Sequence, residues 1–245
     1  MFPSHGRIGC ALCFSKPGET RTLGTWRICN DPGHWGSANP IILVLGFSKG
    51  RTQSGVYDRG RFEEVAFAGV RPRLARILQV LGLMHPDEDI NHKFEANERD
   101  FAFGSLLRCS LAAFDARTNK YATSGSLVIR AFDDPEIRQL LTNCATRFLT
   151  ELPERLRLVL MLGLGNPYIE RCRALMGSIY GGRLEPINEV AYRNERATWV
   201  HVIHPSRASG RHFGDWCSAP SGESRLAKKR ELARQAIAAI PATLT

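Results

Sequence analysis

The sequence predicts an α/β fold: a three-layer α/β/α domain around a central, mainly parallel four-stranded sheet. Three observations predict it. Four short apolar runs stand apart along the 245 residues, amphipathic helical patterns separate them, and glycine, serine or histidine marks the end of each run. Strand alternating with helix places helices on both faces of a parallel sheet. Strands covered on both faces read as continuous apolar runs.

The first strand is "IILVLG" (41–46), apolar on both faces. The second is "DFAFGSLLRC" (100–109), the third "RLRLVLMLG" (155–163) and the fourth "ATWVHVIH" (197–204). Of the helical patterns, "RPRLARILQVLGL" (71–83) carries Leu74, Ile77, Leu78 and Leu81 on one face. "DPEIRQLLTNCATRFLTEL" (134–152) opens with Asp and Pro, a helix-start signal. "NPYIERCRALMGSIYG" (166–181) follows the third strand directly. "SGESRLAKKRELARQAIAAI" (221–240) closes the chain, and its basic run at 225–235 reads as a solvated face. One domain spanning 1–245 is expected, with a segment near 8–30 packed on it.

Composition limits the function. With 43% hydrophobic and 23% charged residues the chain has an ordinary globular balance. No apolar run reaches membrane-spanning length. The start "MFPSHGRIGC" lacks the basic and apolar regions of a signal peptide, so a soluble, cytoplasmic protein with no membrane partner is expected. The net charge of +9 favours an acidic partner, nucleic acid above all. Seven cysteines, an odd number, are expected as thiols or metal ligands and not as a disulfide framework.

Ligands in such folds bind beyond the carboxyl ends of the strands. Gly46-Phe47-Ser48, Ser105, Gly163 and His204-Pro205-Ser206 are therefore expected to wall a cleft.

Five segments, taken in order, resemble the uracil-DNA glycosylase superfamily, and within it the iron–sulfur branch (families four and five). They are Cys10-Ala-Leu-Cys13 with "GETRTLG" after it, "LVLGFSKG", "VAFAGVRPRLARILQVLGL", "SLLRCSL", and "HVIHPS". The third is similar to the family's Pro-Phe-x-Gly segment, and the fourth to its Asn-Val-Val-Lys-Cys strand end. The resemblance covers roughly residues 8–240.

That resemblance implies a DNA repair glycosylase. Such an enzyme flips uracil or another deaminated base out of the helix and hydrolyses its N-glycosidic bond. The resemblance assigns Cys10, Cys13, Cys109 and Cys144 to a [4Fe–4S] cluster. Thiolate spacing alone also allows zinc, and the alternative for Cys109 and Cys144 is that they are small buried hydrophobes. Cys29, Cys172 and Cys217 are left as ordinary thiols, with Cys29 a substitute ligand. "AFDARTNKYATSGSLVIRAFDDP" (113–135), between two of the ligands, reads as a loop insertion.

In the base pocket, His204 matches the histidine that donates to the leaving uracil, and Phe67 the aromatic that stacks on it, a core phenylalanine being the alternative. Gly46, Phe47 and Ser48 match the loop whose amides surround the base and the attacking water. Ser105 stands where the family's asparagine reads the base edge. Two departures matter. "GFSKG" carries no carboxylate, and Ser48 is a poor base. Ser105 lacks an amide's paired donor and acceptor. Asp58, Glu63 and Glu64 are substitute acids, and base specificity could be broader than uracil. Lys49, Arg51, Ser206, Arg207, Arg211 and His212 are expected on DNA phosphates, with Phe213 and Trp216 as aromatic candidates. A monomer is expected. The alternatives are a superfamily member that grips uracil or abasic DNA with little turnover, and an unrelated basic α/β protein with a zinc site.

Overall fold

The computed structural model describes residues 2–50, 53, 57, 60–123 and 125–241, the side chains of Gly125 and Ser126 excepted. Its four predicted strands are β5 (Ile42–Gly46), β6 (Phe101–Ser105), β9 (Leu158–Leu162) and β12 (Thr198–Val202). They pair in parallel in the order β6-β5-β9-β12. The pattern of both-face burial explains why they were readable. Val44, Leu160, Val200 and Val202 enter one core, while Leu43, Leu45, Val159 and Met161 enter the other. A fully buried Val or Leu contributes about 1.5–3 kcal/mol relative to exposure.

The sheet is larger than four strands. β1 (Gly6–Arg7) and β4 (Gly33–Gly36) extend it antiparallel beyond β6, and β11 (Ala191–Arg193) and β10 (Glu185–Asn188) extend it beyond β12. The order of the resulting eight-stranded sheet is β1-β4-β6-β5-β9-β12-β11-β10. The expectation of four strands is thus corrected. Each added strand has two to four residues, too few to show a period.

A second sheet was not expected. β2 (Thr20–Leu23), β3 (Trp26–Cys29), β7 (Ser110–Asp115) and β8 (Lys120–Ala122) form it, all antiparallel. It ties the N-terminal segment to the stretch after β6. The 113–135 segment is therefore no plain loop insertion: it holds the end of β7, β8 and a helix, α2 (Gly125–Asp133).

Helices cover both faces. On one lie α1 (Arg71–Val80), α5 (Gly210–Ser218) and α6 (Arg225–Ala238), and on the other α2, α3 (Pro135–Leu149) and α4 (Asn166–Ile179). Asp134 caps α3, its side chain accepting the Glu136 and Ile137 amides, and Ser224 caps α6 through the Ala227 amide. The basic run on α6 is not wholly solvated. Lys229 is buried and donates to the Leu164 carbonyl and to Asn166 Oδ1, and Arg230 is buried on the Trp216 carbonyl. No described helix is long and apolar enough to cross a membrane.

Candidate functional site

The parallel register brings the predicted segments to one edge. Gly46 pairs with Ser105, and Leu162 with Val202. Gly46-Phe47-Ser48, Ser105, Gly163 and His204 therefore follow neighbouring strand ends. The tips of β5 and β12 are two strand spacings, about 10 Å, apart.

His204 is the best-formed element of this edge. It is partly exposed, and its Nδ1 accepts the Ser206 backbone N–H at 3.0 Å. The Ser209 hydroxyl accordingly donates to the His204 carbonyl at 2.8 Å, so both ends of the turn are tied. Burial, with the nearby Arg73 charge, pushes the ring down to about 4. It is neutral at pH 7, and an accepting Nδ1 leaves the proton on Nε2. Its only proton is thus offered away from the turn.

Beyond it the predicted loop is structured. Arg207–Ser209 form a 3₁₀ turn, and α5 begins at Gly210. Arg207, Arg211 and His212 are exposed, and Ser206 is partly so. Trp216 is fully buried, so it anchors α5 and is no stacking surface. Phe213 lies under the guanidinium of Arg73, 3.9 Å from ring centre to Cζ.

Other expectations need correction. Lys49 is only 3% exposed, with Nζ 3.3 Å from Asp31 and donating to the Arg108 carbonyl, so it cannot reach a phosphate. Phe47 packs on Phe132 in the core opposite to Phe67, so only its backbone faces the edge. The carbonyls of Gly46 and Phe47 accept the Leu106 and Leu107 amides, prolonging the pairing of β5 with the chain after β6. Ser105 is buried and its hydroxyl donates to the Leu107 carbonyl at 2.8 Å, which leaves it only acceptor capacity. Ser48 is partly exposed at the edge.

Phe67 lies on the same face as Val202 and Ile203. Its ring is 6.1 Å from both Phe94 and Phe103, the core environment named as its alternative. Its backbone has φ 55°, a left-handed value unusual for an aromatic residue. Such strain is kept where the surroundings fix a residue's direction.

Of the substitute acids, Glu63 faces His5 at 3.5 Å and Glu64 pairs with Arg61. His5 in turn accepts the Gly36 amide, opposite the start of β6, so neither carboxylate joins His204. Asp58 and Arg51 lie outside the described residues.

The four cysteines assigned by the resemblance come together. Cys10, Cys13, Cys109 and Cys144 line one cavity, with Asn30 and Arg108 as its polar walls. They arrive from the N-terminal segment, the turn between β6 and β7, and α3. N–H groups point at sulfur: Asn30 Nδ2 at Cys109 (3.8 Å), Asn143 Nδ2 at Cys13 (3.7 Å), and the backbone of Arg108 at Cys144. Burial, then the Cys144 charge, raises the Cys109 thiol to about 12, and burial raises Cys144 to about 11. As free thiols both stay protonated. Among the described residues, no group of three or more His, Cys, Asp or Glu side chains is placed to hold a metal ion. Cys29, Cys172 and Cys217 do not line the cavity.

Comparison with protein-family models and with curated proteins returns no match.

Two residues of the site escaped the sequence reading. Arg73, on α1, reaches His204 and Phe213, and only the packing of α1 on α5 reveals it. Arg108 is 1% exposed although it precedes a cysteine in a strand-end motif. Gly104 makes room for it: a Cβ there would lie 1.8 Å from Nη1.

Proposed function

We propose that this protein is a monofunctional DNA glycosylase that hydrolyses the N-glycosidic bond of uracil or another deaminated base in DNA. The observation that carries this reading is His204, a neutral imidazole whose Nδ1 is occupied by the Ser206 amide. The resemblance of the segments around it supplies the reaction class.

Cleavage builds negative charge on the departing base and positive charge on the sugar. The Nε2–H of His204 donates a hydrogen bond to a carbonyl oxygen of the base as charge develops there. Being neutral, the ring stabilises that anion without first surrendering a proton to solvent. Water adds to the sugar carbon, the C–N bond breaks, and the water's extra proton passes to solvent or to the base. Ser48, partly exposed beyond the tip of β5 on the same edge, holds this water. It lacks the basicity to take its proton. Arg207, Arg211 and His212, exposed on the turn and helix after His204, bind phosphates on either side of the flipped nucleotide.

A [4Fe–4S] cluster would be held by Cys10, Cys13, Cys109 and Cys144, and the support for it is the donor set, four thiols lining one cavity. Tetrahedral zinc would require the sulfurs to close to about 2.3 Å from one centre. The cluster would cross-link the N-terminal segment, the β6–β7 turn and α3. Its chemistry is electron exchange and structural ligation, and no step of base release runs through it.

A second reading, tight binding without turnover, is favoured by the absence of a carboxylate in "GFSKG" and by the committed Ser105 hydroxyl. One assay separates the two. Labelled DNA carrying one uracil, hypoxanthine or xanthine is incubated with protein, then treated with alkali. Strand cleavage supports the glycosylase, and retention of intact DNA supports the binder.

A further inference from the structure

We propose that Arg108 is the buried counter-charge of an anionic thiolate–metal group held by Cys10, Cys13, Cys109 and Cys144, an inference resting on the metal reading above. Arg108 is 1% exposed and lines the same cavity as the four sulfurs. Its Nη1 and Nη2 are buried and have no hydrogen-bond partner. Among the described residues no carboxylate forms an ion pair with it. Asp31, the carboxylate beside Cys109, is committed elsewhere: it pairs with Lys49 at 3.3 Å and accepts the Ser110 amide at 2.7 Å. His34 beside it is buried and neutral, held down to about 3. The Phe148 ring, 5.3 Å from Cζ, offers only a weak cation–π contact.

A buried, uncompensated guanidinium costs several kcal/mol in general. Yet the guanidinium occupies the space over Gly104, where a Cβ would lie 1.8 Å from Nη1 and oblige the side chain to shift. The Arg108 backbone N–H also points at the Cys144 sulfur, so residue 108 meets the sulfur group through its main chain as well. Four thiolates around a zinc ion, or around an oxidised [4Fe–4S] core, leave a net negative charge. That charge satisfies Arg108, and Arg108 in turn favours the thiolate forms. Lys49 also acts on Cys109, but unlike Arg108 it has a carboxylate partner, Asp31 at 3.3 Å.

The test uses the full chain purified without oxygen, with iron, sulfide and zinc measured. Arg108→Gln and Arg108→Met are compared with Arg108→Lys, which keeps the charge. In the loaded protein the neutral variants should lose metal affinity about 10- to 100-fold, as for other residues supporting a metal's ligands. Lysine should restore much of it. If the group is iron–sulfur, the midpoint potential of the neutral variants shifts negative, because losing a nearby cation disfavours the added electron. In the metal-stripped protein the sign reverses: Arg108→Met melts no lower than the parent. A wild-type chain that binds neither iron nor zinc overturns both the metal reading and the counter-charge. A loaded chain whose affinity, midpoint and melting order ignore Arg108 overturns the counter-charge alone.

Discussion

The backbone N–H of Ser206 donates to Nδ1 of His204 at 3.0 Å, and this bond decides which form of the imidazole the protein holds. A proton arriving at Nδ1 would have to displace it. With burial and Arg73 acting in the same direction, the ring stays neutral down to about 4. Base release should therefore be nearly level from pH 8 to pH 5 and fall as pH approaches 4. A rate that rises as pH drops through 6.5 would mean that the imidazolium is the working form.

Removing one preorganised donor to developing negative charge costs about 10²–10³ in rate. His204→Gln should lose that much in single-turnover base release while binding undamaged DNA like the parent. Nitrocellulose retention of the same duplex checks the second half.

Lys49 separates sequence from structure. Breaking a buried pair by removing one partner costs about 3–5 kcal/mol. Lys49→Met should lower unfolding free energy by about 3 kcal/mol in urea, since the Ser110 contacts still hold Asp31. The salt dependence of DNA binding should not change. Arg207→Ala and Arg211→Ala should do the opposite: stability stays within about 0.5 kcal/mol, while the log–log salt slope of binding falls by about 1 for each.

His201 predicts an acid-labile fold. Buried, with Nδ1 on the Gly163 carbonyl at 3.1 Å, it is held at about 4 against an ordinary 6.5. As pH falls from 6.5 to 4 the unfolded chain takes up a proton that the folded chain refuses, so stability drops through that window and levels off below it. The displacement corresponds to on the order of 3 kcal/mol. Urea midpoints at pH 7 and pH 4.5 measure it, and His201→Gln should flatten part of the slope.

Much of the central sheet was legible because its signal is local. Leu43, Val44 and Leu45 are all apolar since both faces of β5 are covered, and that leaves a run visible in one dimension. Tyr192 and Ala191, on a three-residue strand, carry no period. Trp26 and Ile28 do alternate with exposed Arg27, but four residues are too few to declare a strand. The α5 helix was hidden by Gly210 and Gly214, which read as loop. At the site, His204 was legible because its turn is written in consecutive residues. The burial of Lys49 was not, because it depends on Asp31 and the Arg108 carbonyl, eighteen and fifty-nine positions away in sequence. The same applies to Phe47 and Phe67: a sheet face is chosen by register, which composition does not state.

The central claim is that His204 stabilises a base as it leaves DNA, and single-turnover release of labelled uracil, hypoxanthine or xanthine from duplex and single-stranded DNA tests it most directly. The parent chain should release the base, and His204→Gln should lose about 10²–10³ in rate at unchanged DNA affinity. No release of any of the three bases by the metal-loaded parent, or equal release by the variant, would contradict it.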